Sequence, residues 1–116
     1  MKEDAHLILF FDWLAWQTIK NPILEVVFHV ENERKCTPRQ GAYRKRKGVK
    51  KGIPDIICPI PRAEYHGLVI ELKTETGKLS KDQIRMLKHF HGLGWCARVA
   101  KGGQMAIDVF KEYMRL

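Results

Sequence analysis

No run of about eighteen apolar residues occurs anywhere in the 116-residue chain, which excludes a conventional membrane-spanning helix. The first residues also lack the basic segment and small-residue cleavage site of a secretory leader. The protein is therefore expected in the cytoplasm, with no membrane partner. Cysteine is scarce: Cys36, Cys58 and Cys96 are odd in number, far apart and without a CxxC pair. A disulfide frame or a structural zinc site needs thiols that are more numerous or closer together, so reduced thiols are expected. Histidine is equally dispersed, and His29, His66, His89 and His91 read as surface or strand-edge residues rather than ligands. Acid is missing from one window altogether. Between Arg34 and Lys51 the chain carries Arg34, Lys35, Arg39, Arg44, Lys45, Arg46, Lys47, Lys50 and Lys51, and no Asp or Glu. The remainder holds 12 basic and 13 acidic residues, so the whole net charge of +8 belongs to that window. Such a block is either a solvated face or a surface for a polyanion. Its self-repulsion favours the second, a run of nucleic-acid phosphates.

What is present is enough apolar material, 45% of residues, for one core and one domain spanning residues 1–116. The chain is organised around Gly52 to Lys73. Gly52-Ile53-Pro54-Asp55-Ile56-Ile57-Cys58 and Gly67-Leu68-Val69-Ile70-Glu71-Leu72-Lys73 are bounded apolar runs rich in β-branched residues, and each reads as a short strand. In the second, Leu68, Ile70 and Leu72 share one face and Val69, Glu71 and Lys73 the other. If the two pair as a hairpin, Asp55 at the start of one lies beside Glu71 near the end of the other. Two adjacent carboxylates repel unless a cation sits between them, and hard oxygen ligands suit Mg²⁺ or Mn²⁺. The chemistry this suggests is a metal site acting on phosphate, with Lys73 orienting the attacking water or offsetting developing negative charge. A salt bridge from Lys73 to either acid, with no catalysis, is the plainer reading of that lysine.

Pro54-Asp55 followed by Glu71-x-Lys73 resembles the PD-(D/E)xK nuclease signature. The surroundings narrow the match. Gly48-Val49-Lys50-Lys51-Gly52-Ile53-Pro54-Asp55, Tyr65-His66-Gly67-Leu68, Glu71-Leu72-Lys73-Thr74, Gly77-x-Leu79-Ser80-x-x-Gln83 and Leu93-Gly94-Trp95 are similar to the VRR-NUC branch, the virus-type replication and repair nuclease domain. The resemblance implies an α/β, restriction-endonuclease-like fold, a central mixed β-sheet flanked by helices on both faces. It implies that Glu3, matched by its spacing to Trp13, completes a metal set of Asp55, Glu71 and the backbone carbonyl of Leu72, and that Gln83 belongs to the surroundings of the site. Each has a plainer alternative: Glu3 as a carboxylate favoured by a helix dipole, Gln83 as part of a Ser80 capping box. The family often has Asn-Gly-Gly where this chain has Asn32-Glu33-Arg34. Arg34 would offer phosphate a planar fork there, while Glu31 and Glu33 are possible outer groups of the metal site or simply solvated.

In chain order, Asp4 to about Ile19 reads as a helix, with Leu7, Phe10, Phe11 and Leu14 on one stripe and Asn21-Pro22 ending it. Ile8, Leu9, Trp13 and Trp16 exceed what one sheet needs, so they are either core or the interface of a homodimer. Val26 to Val30 reads as a strand. Thr37-Pro38 opens a basic helix to about Lys47. Ser80 opens another to about His91, burying Ile84, Leu87 and Phe90. Trp95 to Ala100 is a last strand, followed by a helix whose stripe is Ile107, Phe110 and Met114. The resulting expectation is a metal-dependent endonuclease, a homodimer acting on branched DNA such as four-way junctions. The alternatives are a general or flap-directed nuclease and a basic nucleic-acid-binding protein without hydrolytic activity. A sequence-specific restriction enzyme fits less well, because the evident DNA contacts are basic and blind to sequence.

Overall fold

A computed structural model describes residues 2–31 and 36–115. The long apolar stripe at the N-terminus forms α1 (Glu3–Lys20), which Asn21 and Pro22 terminate. Pro22 then opens a 3-10 turn (Pro22–Val26). After it come α2 (Pro38–Arg46), β1 (Ile56–Cys58), β2 (Leu68–Lys73), α3 (Lys81–Gly92), β3 (Cys96–Lys101) and α4 (Gly103–Met114). The sheet has the order β1-β2-β3, with β1 antiparallel and β3 parallel to β2. The described residues form an α/β fold, a three-stranded mixed sheet with four α-helices. Among the described residues no helix is long and apolar enough to cross a membrane.

Leu68, Ile70 and Leu72 point into the main core with Phe10 and Leu14 of α1 and Ile107 and Phe110 of α4. The Phe10 and Phe110 rings meet edge to face, 5.6 Å between centroids. Val69 is also fully buried yet lies outside that cluster, so the second face of β2 is covered too. Helix α3, which packs on β2 and β3, covers it. A six-residue strand buried on both faces is what its unbroken run of large side chains requires.

Two expected elements differ. Val26–Val30 is not a strand: the turn initiated by Pro22 takes Val26, and the segment meets the sheet in a single bridge, Phe28 to Ile57. β1 is only three residues long and runs into Pro59, so it offers no longer edge to pair with. In α3 the inward stripe is Gln83, Met86, Leu87 and Phe90, spaced i, i+3, i+4, i+7. That spacing turns Ile84 outward, 39% exposed. The three cysteines are free thiols, Cys36 exposed, Cys58 buried and Cys96 half-buried. Burial raises the pKa of Cys58 and Cys96, which keeps both protonated.

Candidate metal centre and nucleic-acid interface

The hairpin register places Ile56 opposite Ile70, so Asp55 stands opposite Glu71 one step beyond the ladder. The Asp55 carboxylate takes the place of a strand acceptor there, receiving the Leu72 N–H at 2.8 Å. Leu72 is thus tied to Asp55 through its amide, and it also lines a cavity beside the carboxylates. The first turn of α1 brings Glu3 to the same point. One carboxylate oxygen from each of Glu3, Asp55 and Glu71 lies within 4.8 Å of the other two. Three residues separated by most of the chain converge because α1 packs on β2.

Glu71 is the anomalous member. It is 1% exposed, and neither side-chain oxygen has a hydrogen-bond partner. An ionised carboxylate so placed is costly. Burial first, then the adjacent Asp55 carboxylate, raise its pKa far above the usual carboxylate range; Lys73 opposes this and Glu3 adds to it. Lys73 is nearly buried on the same face of β2. Among the described residues no ion pair within 4.0 Å links it to Asp55 or Glu71, the one salt bridge being Arg85 to Asp82. The donor set, three carboxylates with two orphaned oxygens, fits a hard divalent cation.

Above the carboxylates is a cavity of about 190 Å³ lined by Glu3, Asp4, Leu7, His29, Glu31, Ile53, Asp55, Leu72 and Gln83. Glu71 and Lys73 are absent from its lining and lie deeper in the sheet. Gln83 has two structural positions at once. It completes the capping box with Ser80, each side chain bonded to the other's backbone N–H, and it also walls the cavity. Gly52 makes this possible. A Cβ there would meet the Asp82 carbonyl carbon and oxygen at 2.5 Å, and its φ is +81°. Gly52→Ala is therefore expected to destabilise the protein by about 2–3 kcal/mol, combining steric and left-handed strain, which thermal unfolding would register as a lower Tm.

His29 is the residue that sequence reasoning missed. Its Nδ1 lies 2.6 Å from the Asp55 carbonyl, which can only accept, so Nδ1 carries the proton. The ring thereby braces the backbone of Asp55 and lines the cavity. The signal was hidden, because the contact spans 26 residues and depends on the isolated Phe28–Ile57 bridge. His29→Ala is expected to lower cleavage about tenfold with Tm changed by only a few degrees, while His29→Asn, which can still donate, retains more activity.

The basic window is brought to the surface. Arg44, Lys45, Arg46 and Lys47 sit on or at the end of α2, which buries no residue, and Lys50 and Lys51 are exposed in the turn leading to Asp55. Arg34 and Lys35, like Asn32 and Glu33, lie outside the described residues.

Comparison with known proteins completes the picture. The VRR-NUC domain profile matches residues 1–104. A solved structure named VRR_NUC domain protein is similar at 32% identity and a TM-score of 0.87, over 100% of this chain and 90% of that one. Comparison with curated proteins finds no match. With the profile covering most of its length and the carboxylate cluster in place, the chain belongs to the VRR-NUC family of nuclease domains.

Proposed function

We propose that this protein is a divalent-metal-dependent endonuclease, a single restriction-endonuclease-like domain over residues 1–116, hydrolysing phosphodiester bonds in branched DNA as a homodimer. The observation that carries the reading is the buried, unpartnered carboxylate of Glu71 beside Asp55 and Glu3. These three would hold Mg²⁺ or Mn²⁺, and the Leu72 carbonyl would be a further ligand. A bound ion of this kind lowers the pKa of water and offsets charge on phosphate. Lys73 positions the attacking water or neutralises the developing charge, and Gln83 with His29 keeps the surrounding wall in place. Arg44, Lys45, Arg46 and Lys47 on and at the end of α2, with Arg34, Lys35, Lys50 and Lys51, hold the flanking phosphates. Replacing Arg44, Lys45, Arg46 and Lys47 with Ala should weaken binding to every sequence and flatten the salt dependence by roughly one unit of slope per lost contact. An unchanged slope would return those residues to solvent.

Resolving a four-way junction needs two symmetric nicks, and each chain offers one metal site; a C2 dimer supplies the second. Of the residues that were either core or interface, Trp13 belongs with the core, packing on Phe10 and Phe110. The face that supports a dimer is Ile8, Trp16 and Ile19, at 60%, 72% and 73% exposure, extended by Ile23 on the following turn. Light scattering at micromolar concentration should give twice the 13.5 kDa chain mass, and a synthetic four-way junction should be nicked on opposing strands in preference to linear duplex. A monomer that cuts flaps, single strands and junctions alike would leave a general nuclease.

A further inference from the structure

Helix α2 stands apart from the rest of the molecule. None of its residues is buried, and among the described residues it shares no extensive interface with another element. Its order is local, through a capping box in which the Thr37 hydroxyl accepts from Gln40 N–H and the Gln40 side chain accepts from Thr37 N–H. A helix with no core to contribute to has no packing need for an aromatic residue. α2 nevertheless carries Tyr43, 62% exposed. Lys47 Nζ lies 5.3 Å from its ring centre, and Arg39, Arg44 and Arg46 line the same concavity as the ring. No acid occurs from Cys36 to Lys51.

Duplex phosphates need only the cations. A duplex base offers its edge in a groove, while its face is occupied by its stacked neighbours. An aromatic ring among cations is instead matched to a base that has left the stack, with the ring taking its face and the cations the phosphates on either side. We infer that α2 is a docking surface for unpaired bases, with Tyr43 as the stacking platform. The ligand class is DNA with a single-stranded or splayed segment, as at a fork, flap, gap or opened branch point. This inference rests on the assignment of α2 to nucleic acid made above and adds what that helix selects.

The test compares a forked duplex carrying one 2-aminopurine in its unpaired arm with a blunt duplex of equal length, both in chelator so that neither strand is cut. The parent protein should quench the 2-aminopurine on binding. Tyr43→Leu should abolish the quenching and bind the fork about tenfold more weakly, with duplex affinity within about twofold, and Tyr43→Trp should restore both. Tyr43 touches no core residue, so these variants keep the fold. Absence of quenching by the parent, or equal losses on fork and duplex, would overturn the inference. Salt dependence separates it from the assignment beneath. Unaltered fork binding by Tyr43→Leu, with a flattened slope in the variant lacking Arg44, Lys45, Arg46 and Lys47, rejects stacking and keeps phosphate binding. An unchanged slope in that variant rejects both.

Discussion

Glu71→Gln protein is expected to lose Mg²⁺-dependent cleavage by on the order of a thousandfold or more, and, without metal, to melt at a higher temperature than the parent near neutral pH. The two effects have one cause. The Glu71 carboxylate is buried with neither oxygen bonded, so its ionised form weakens the metal-free fold and its neutral isostere does not. Between the ordinary carboxylate pKa and the raised value in the fold, the folded state binds more protons than the unfolded state. Stability of the metal-free parent should therefore be greatest at acid pH and fall as pH rises through that window, by at most about 1.4 kcal/mol per pH unit for one proton. The Gln variant lacks that contribution to the slope. Asp55→Asn and Lys73→Ala should lose cleavage to a similar degree, and a double variant should lose little more, because the groups act as one unit. Thermal melts of each variant separate lost chemistry from lost fold. Substantial cleavage by folded Glu71→Gln protein would remove Glu71 from the reaction.

The second large effect concerns pH and the ion. A carboxylate held neutral must release its proton to become a ligand. Mn²⁺ affinity should rise about tenfold per pH unit across neutrality if one proton is released, levelling off as pH approaches the raised pKa of Glu71. Calorimetry in buffers of differing ionisation enthalpy would measure that proton directly. Glu71→Gln should bind the ion much more weakly and lose most of the pH dependence. Affinity independent of pH would mean that Glu71 is ionised before the ion arrives, or that it is not a ligand. Chelation should stop cleavage by the parent, whereas a purely binding protein would show no uptake of Mn²⁺ at all.

Much of this architecture is local and was legible in the order of residues. Alternation in Leu68–Lys73, the capping residues Thr37 and Ser80 and the apolar stripe of α1 each fix an element through neighbours a few residues away. The pairing of Asp55 with Glu71 followed as well, because a hairpin leaves little choice of register. Other features depended on contacts between distant segments. The segment at Val26–Val30 has strand composition, yet Pro22 and a three-residue β1 left it one bridge. Trp13 and Trp16 are three residues apart on the same apolar helix, and only the position of Phe110 on α4 decides that one packs and the other faces out. His29 gained its place from the fold of the chain around Asp55. The sequence by itself determined which carboxylates could meet, since strand alternation and hairpin pairing are short-range geometry. Tertiary structure alone decided that Glu71 would be closed off from both water and hydrogen bonds, because burial depends on helices packed from both sides of the sheet, and no local pattern encodes their arrival.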